Sequence, residues 1–478
     1  REPIERLLPI GNIITAMDIA RENDLTSKMA PFLDAHMLSP VLDFLREGGV
    51  YDSKAVARQK IRVFARTNML ELVADEIKHV ADEADIKDDP NLSKTFLDQR
   101  TNAIFDKIDN EPAAVKTCET FFNNAELIAN LKADECLKIE YVSANHGITV
   151  EILDEYYKFS KFKYDCGMYL DAETMLGRFL SIAQTKTPSV LGALWGRLAC
   201  RVLQAKWDES LVDLLAVKDA IESRNITPID QLRQRAWLMH WGLLVFLNQR
   251  AGPDALFEFF SERPYLQAIE NLCPWMLRYY AAAAIMSSKR RVVIREALSE
   301  IQTMSYLHSD PMTQLLESLY DRFDFEEAQT HLVKCVAMIK ADFFLFSFAD
   351  KFLHEARIVI CEVYCAINRR VDIVKLAEVM QLSEEEAEKW MVEMIRGAAL
   401  AKTSGEASST PSIDARIDSD NKQVLMVPPV KSMHQSVIDR TRDLTSRSGV
   451  LVSNIETMVA EQGAYMKELE QVRSSSAY

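Results

Sequence analysis

The stretch VDIVKLAEVMQLSEEEAEKWMVEMI, residues 371 to 395, predicts two short helices joined by a tight turn. Apolar residues recur at helical spacing in both halves, and Gln381, Leu382 and Ser383 interrupt the pattern between them. Ser383 is a preferred N-cap residue, and Glu386 three residues later completes a capping box. The stretch therefore has the outline of a helix-turn-helix, the geometry with which many proteins read DNA.

The charge of the second helix argues against DNA binding. This helix would enter the major groove, where it would meet about one phosphate charge per 1.7 Å of duplex axis. Four of the five residues from 384 to 388 are glutamates, and only Lys389 and Arg396 oppose them between residues 384 and 396. Because the acidic turn would repel DNA, the sequence favours a structural or protein-binding role for these helices.

The composition indicates a mostly α-helical protein. The 478 residues include only 14 glycines and 15 prolines, where average usage would give about 33 and 24. The net charge of -15 opposes nonspecific binding to nucleic acid or to a membrane surface. The eight cysteines form no CxxC pair, and no apolar run approaches the roughly 18 residues of a membrane helix. We therefore expect a soluble cytoplasmic protein with reduced thiols, a nuclear pool and no membrane partner.

Three segments share a pattern of aromatic, small and leucine residues. They are GMYLDAETML from residue 167, AKWDESLVDL from 205 and FDFEEAQTHL from 323. The matching triplets are Tyr169, Ala172 and Leu176; Trp207, Ser210 and Leu214; and Phe325, Ala328 and Leu332. The aromatic residues are 38 and 118 positions apart, and the second step is about three times 39, within the range of helix-pair repeats. The pattern predicts a helical-repeat solenoid of the TPR or HEAT type.

A β-hairpin is predicted after the two helices. The polar segment 401 to 412 reads as a flexible loop, and two short alternating runs follow it, at 415 to 418 and 423 to 427. Residues 419 to 422, between the runs, have turn chemistry. A helix-turn-helix followed by a hairpin predicts a winged helix.

The last segment of the chain follows a heptad pattern. Positions from 437 to 472 that step by four and three are mostly apolar, among them Leu444, Leu451, Ile455, Met458 and Leu469. This predicts a long C-terminal helix with one apolar seam. Since a lone helix gains little stability by itself, we expect the seam to dock on helices of partner proteins. Packing against the chain's own domain is the alternative.

No motif for catalysis or for cofactor binding is present in the sequence. His354, Cys361 and Cys365 share a helical face, but they span about 16 Å of helix rise, too far for one tetrahedral ion. His240 lies among apolar residues at core spacing, which predicts a structural histidine. We therefore expect no catalytic residue, cofactor, metal or small-molecule ligand.

One basic cluster supports a hypothesis of RNA contact. It consists of Lys289, Arg290, Arg291 and Arg295. Clustered lysines and arginines bind phosphates even in a chain that is acidic overall. Contact with mRNA or ribosomal RNA is therefore a hypothesis that these four residues carry.

Several longer strings closely resemble one known family. Examples are DLTSKMAPFLDAHMLSPVLDFL (24 to 45), YYKFSKFKYDCGMY (156 to 169), YLQAIENLCPWMLRYY (265 to 280) and EEEAEKWMVEMIR (384 to 396). They resemble the family of E subunits of eukaryotic translation initiation factor 3. A right-handed stack of helix pairs that ends in a winged helix is similar to the PCI domain, which the proteasome lid and the signalosome also contain. Residues 1 to 23 and the loop 401 to 412 depart from the family pattern.

The resemblance implies five segments. They are an N-terminal extension (1–23), a helical-repeat arm (24–230), the helical part of a PCI domain (231–370), a winged helix (371–428) and a C-terminal helix (429–478).

The resemblance also implies a non-catalytic scaffold subunit of the initiation factor. Its expected partners are the other PCI-type subunits and the small ribosomal subunit, on which it would support assembly of the preinitiation complex with mRNA. Partners would extend the sheet at the wing edge, through Arg416, Ile417, Val424 and Leu425. The alternative is a PCI scaffold subunit of the proteasome lid or the signalosome. A nucleic-acid-binding regulator would need a basic helix at 384 to 388, and an enzyme would need a nucleophile and a base.

Overall fold

The protein is mostly helical. The computed structural model describes residues 13–80, 94–124, 128, 130–131, 139–183, 188–223, 227–249, 252–287, 290–380, 382–404, 415–418, 422–426 and 433–475. Of residues 1 to 23, the described part forms a helix (Ile13–Glu22) and the turn after it, and this helix packs on a later one (Phe325–Ala341). This part of the predicted extension therefore belongs to the folded body.

Helices account for nearly all the described elements up to residue 367. The N-terminal half contains α1 (Ile13–Glu22), α2 (Thr26–Met29), α3 (Ala35–Glu47), α4 (Ser53–Phe64), α5 (Leu70–His79), α6 (Lys94–Asp109), α7 (Ala113–Asn123), α8 (Ile139–His146), α9 (Val150–Asp165), α10 (Tyr169–Ile182), α11 (Pro188–Leu203) and α12 (Trp207–Glu222). Next come α13 (Pro228–Leu247), α14 (Gly252–Ser261), α15 (Arg263–Asn271), α16 (Leu277–Met286), α17 (Arg290–Met304), α18 (Pro311–Glu317), α19 (Phe325–Ala341) and α20 (Ala349–Ile367).

The C-terminal part contains the three described strands. Its elements are β1 (Arg370–Asp372), α21 (Ile373–Met380), α22 (Glu384–Ser404), β2 (Ala415–Asp418), β3 (Gln423–Met426) and α23 (Met433–Ser475). The strands form one antiparallel sheet in the order β1-β3-β2.

Successive helices pack on one another from α9 to α13, and the three sequence triplets lie in this kind of contact. The small residue and the leucine of each triplet are buried, and the aromatic residue is half-buried against the core. In the second triplet, the Ser210 hydroxyl donates to the Lys206 carbonyl at 2.7 Å, so the polar group is satisfied inside the core. Small residues at such positions allow neighbouring helices to approach closely.

The hydrophobic core is continuous over most of the chain. One cluster of buried residues extends from Leu25 to Ile360 and crosses position 230, where a domain boundary was expected. A second cluster joins α20 to the C-terminal sheet, and a small third cluster lies between α4 and α6. Helices on both sides of position 230 share one core, so the core marks no boundary there. The boundary stays a prediction.

A buried arginine connects distant parts of this core. Arg278 on α16 is 2% exposed. Its Nε donates to Asp310 Oδ2 at 2.7 Å, and its Nη2 donates to the Asn23 carbonyl at 2.7 Å. Its Nη1 lies 3.5 Å from Asp342 Oδ2. The guanidinium therefore holds together the N-terminal segment, α16, the start of α18 and the end of α19.

Both carboxylates around Arg278 also fix backbone. Asp310 caps α18 in a reciprocal capping box with Thr313. Asp342 accepts hydrogen bonds from the backbone amides of Phe344 and Leu345. Loss of the guanidinium would leave two buried carboxylates with their cation removed, which is a strongly destabilising change.

We predict that Arg278→Ala lowers the free energy of unfolding by about 3 to 5 kcal/mol, because it leaves buried charge uncompensated. Urea denaturation of the purified chain would measure this. Arg322→Ala is the matched control, since Arg322 pairs with Glu327 at the surface and should contribute less than about 1 kcal/mol. Equal losses for the two variants would contradict the assigned role of Arg278.

His240 is a structural histidine, as predicted. It is fully buried on α13, and its ring stacks on Phe32 at a centroid distance of 4.4 Å. Trp275 Nε1 donates to its Nε2 at 3.1 Å, so Nδ1 carries the proton and donates to the Ala236 carbonyl at 2.7 Å. Burial lowers the pKa of His240 to about 4, from an ordinary value of 6.5. The ring is therefore neutral at physiological pH.

We predict that His240 makes the protein less stable as the pH falls from 6.5 to 4. In this window the unfolded chain binds a proton at this position that the folded chain does not, which removes about 3 kcal/mol of stability. Urea denaturation of wild type and His240→Gln across this range would isolate the effect. The difference in stability between the two should shrink on acidification, and a constant difference would contradict the assignment.

Candidate interaction surfaces

The C-terminal helix has no partner within the described chain. α23 is 43 residues long, and every side chain described between residues 434 and 462 is exposed. On the predicted seam, Leu451 is 61% exposed and Met458 58% exposed, and Leu444 and Ile455 are similar. This contradicts the alternative that the described part of the seam packs on the chain's own domain. The side chain of Leu469 lies outside the described residues.

The exposed apolar face is wider than the seam that heptad spacing predicted. At about 100° per residue, Val437, Leu444, Leu451, Ile455 and Met458 lie within about 60° around the helix axis. Val452 and Val459 are also more than half exposed and extend the face on one side. The heptad template missed these two because it follows one line along the helix. The polar residues Arg442, Ser446 and Ser453 occupy the opposite side.

The turn between α21 and α22 forms as predicted. The backbone amide of Ser383 donates to Glu386 Oε2 at 3.2 Å, and the amide of Glu386 lies 3.4 Å from Ser383 Oγ. This is the predicted capping box. Glu384 pairs with Lys422 of the hairpin turn at 2.9 Å, while the remaining glutamates of the turn are exposed. The first turn of α22 therefore presents an acidic surface, which agrees with the prediction that this helix does not bind DNA.

The three-stranded sheet corrects the expectation for the wing edge. β3 is the central strand, so Val424 and Leu425 are paired on both sides, and the Val424 side chain is fully buried. They cannot offer a free edge. β2 is a sheet edge among the described residues, and there Arg416 is exposed and Ile417 half-buried.

The position of Val371 explains why β3 is not an edge strand. The apolar pattern assigned Val371 to the first helix, but it lies in β1 and pairs with Val424. Three-residue strands carry too little alternation to be recognised in a sequence, and the partner is more than fifty positions away. The helix begins only at Ile373.

The cysteines of α20 are core thiols. Cys361 and Cys365 are buried, with their sulfur atoms 3.7 Å apart, and Cys361 Sγ lies 3.7 Å from Met391 Sδ. The hydrogen bond with Cys365 and burial raise the pKa of Cys361 well above its usual range, so it stays protonated. Within the described ranges, no three histidine, cysteine, aspartate or glutamate side chains are grouped so that they could hold a metal ion.

The basic cluster is described only in part. Lys289 lies outside the described residues, and only the backbone of Arg290 and Arg291 is described, at the start of α17. Arg295 is exposed on α17 next to the exposed Glu296. RNA contact at this cluster therefore stays a hypothesis.

None of the helices in the described ranges is long and apolar enough to cross a membrane. The prediction of a loop at 401 to 412 is wrong for residues 401 to 404, which form the last turn of α22. Residues 405 to 412 lie outside the described part of the chain.

Comparison with known proteins agrees with the family resemblance. Residues 24–163 match the family model described as eIF3 subunit 6 N terminal domain. Similar curated proteins include three that are named as the E subunit of eukaryotic translation initiation factor 3. That of Aspergillus clavatus is 34% identical over 446 residues, covering 91% of this chain and 94% of the relative. That of Aspergillus niger is 33% identical, with the same coverage of both chains. That of Yarrowia lipolytica is 32% identical and covers 90% of this chain and 99% of the relative.

The similarity thus extends over nearly the whole of each chain, including the C-terminal region where α22 and the sheet lie. The chain belongs to the family of E subunits of eukaryotic translation initiation factor 3.

Proposed function

We propose that this chain is a non-catalytic scaffold subunit of translation initiation factor 3. The observation that carries the proposal is the exposed apolar face of α23 in a chain that belongs to this family. Full burial of each Leu, Ile or Met side chain stabilises an interface by about 1.5 to 3 kcal/mol before the cost of association. A helix that exposes such a row is suited to a bundle with helices of other subunits. Assembly with other subunits would in turn support binding to the small ribosomal subunit and preinitiation-complex assembly on mRNA.

The architecture proposed for this role has two parts. The helices from Asp24 to Arg370 would form a right-handed solenoid, divided near residue 230 into an arm and the helical part of a PCI domain. β1, α21, α22 and the β2–β3 hairpin would form a winged helix. The packing of successive helices and the helix-helix-hairpin order support this interpretation. A solenoid arm offers long surfaces to further partners.

The edge of β2 is the second proposed contact. A partner strand would add to the sheet beside Arg416 and Ile417, because unpaired backbone groups at a sheet edge favour strand addition. Arg416, which is exposed, would then face acidic groups of the partner. This site would complement the bundle formed by α23, and both would lie in the C-terminal part of the chain.

Contact with RNA through Arg295 and its neighbours is a weaker proposal. Arg295 is exposed, but the adjacent glutamate offsets its charge.

We place the protein in the cytoplasm, where the factor would act, with a nuclear pool in addition. A role in the proteasome lid or the signalosome is not favoured, since the similar proteins carry the name of the initiation-factor subunit.

The test is affinity purification of the tagged full-length chain, with mass spectrometry of the proteins that co-elute. We predict that wild type recovers initiation-factor subunits and small-subunit ribosomal proteins. The triple variant Leu451→Glu, Ile455→Glu and Met458→Glu should lose at least nine-tenths of the other subunits, because charge on the face opposes burial. Its circular dichroism should stay close to that of wild type.

The matched control places three glutamates on the opposite side of the same helix, as Ser446→Glu, Ser453→Glu and Thr457→Glu. These positions are also exposed, and the control should recover subunits as wild type does. Unchanged recovery by the apolar-face variant would contradict the bundle proposal. Recovery of proteasome-lid or signalosome subunits alone would contradict the assigned complex.

A further inference from the structure

A groove crosses three of the central helices, away from α23 and the sheet. Its volume is about 370 Å³, within the usual size range of ligand sites. Residues of α9, α10, α11 and α13 line it, together with residues 31 to 34 of the N-terminal segment. Nothing in the assembly role of α23 uses this groove.

Aromatic side chains line the groove at the spacing of the helix repeat. Tyr157, Trp195 and Trp237 come from α9, α11 and α13 in turn, 38 and 42 residues apart. Trp195 and Trp237 meet edge to face at a centroid distance of 6.2 Å. Trp195 donates to Gln234 Oε1 at 2.9 Å, which fixes its indole, and Trp237 is 43% exposed. The groove thus presents a row of aromatic side chains, of which Trp237 is the most exposed.

Two glycines on α11 leave space for the neighbouring side chains that line the groove. A Cβ atom at Gly192 would lie 2.3 Å from the Tyr157 hydroxyl, and one at Gly196 would lie 3.0 Å from Leu176 Cδ1. Any side chain at Gly192 would therefore displace Tyr157. The absence of side chains lets Tyr157 lie directly over the α11 backbone.

The charged side chains that line the groove are negative on balance. They are Asp34, Asp165 and Lys161, and Lys161 is the one cationic side chain among the described lining residues. Asp34 accepts a hydrogen bond from the Tyr164 hydroxyl. Nearby His36 does not supply a compensating charge, because burial lowers its pKa. Aromatic faces beside excess carboxylate attract cations, and arginine in particular stacks on indole rings.

We propose that this groove binds an extended peptide segment of another protein, with an arginine or lysine held between the tryptophans and the two carboxylates. The peptide would run across the helices, and its apolar residues would lie on Tyr157 and the tryptophans. A repeat protein that offers one aromatic residue per helix pair suits an extended chain, whose side chains also recur at regular distances.

RNA is the less favoured occupant. Bases also stack on aromatic rows, but single-stranded nucleic acid is bound in positively charged grooves. Here the lining contains two carboxylates and one lysine, so the carboxylates would repel a phosphate backbone.

The experiment uses a phage library of random twelve-residue peptides, selected in parallel on the full-length wild-type chain and on Trp237→Ala. Enriched peptides are then synthesised with fluorescein, and their affinity is measured by fluorescence anisotropy. We expect peptides specific to wild type to carry arginine or lysine beside apolar residues. Trp237→Ala and Asp165→Asn should each weaken binding at least tenfold, and citrulline in place of the peptide arginine should do the same.

Tyr306→Ala is the control, because Tyr306 is 76% exposed and lies outside the groove lining; it should bind the peptides as wild type does. Circular dichroism would check that each variant is folded, and Asp165→Asn provides the test should Trp237→Ala fail to fold. Failure to enrich any peptide, or equal binding by all variants, would overturn the proposal. So would tighter binding of a fluorescein-labelled oligouridylate that Trp237→Ala abolishes.

Discussion

The hydrogen bonds of the buried Arg278 guanidinium hold the folded body together. They join the Asn23 carbonyl to carboxylates that cap α18 and fix the turn after α19. Their geometry brings the N-terminal helices onto the later half of the chain, where Phe32 covers His240 and Phe44 lies against Phe343. The same contacts place residues 31 to 34 in the lining of the aromatic groove. A charge buried this deeply is tolerated because each nitrogen of the guanidinium has a partner.

Local chemistry made part of this structure predictable from the sequence. The Ser383 capping box, the long helix at the C-terminus and the core position of His240 each depend on residues close in sequence, where spacing fixes geometry. The recurring triplets of aromatic, small and leucine residues predicted packed helices, and the small residue and the leucine of each triplet are buried. The helical-repeat solenoid itself stays a prediction. Family resemblance then supplied the expected complex, which no local pattern in the chain could have indicated.

Features that depend on distant residues could not be predicted in this way. Arg278 and Asn23 are 255 positions apart, and an arginine in a helical pattern is ordinarily exposed. β1 was missed because its pairing with β3 exists only in the folded chain, and this pairing moved Val424 from the supposed edge to the centre of the sheet. The groove likewise combines residues of four helices and of the N-terminal segment.

In the proposed assembly, α23 exposes its apolar face in the isolated chain and buries it when the other subunits bind. Amide hydrogen exchange with mass spectrometry, on the free chain and on the purified complex, measures this directly. We predict fast exchange between residues 433 and 475 in the free chain, because a lone exposed helix opens readily, and strong protection of the same residues in the complex. Equal exchange in the two states would contradict the claim.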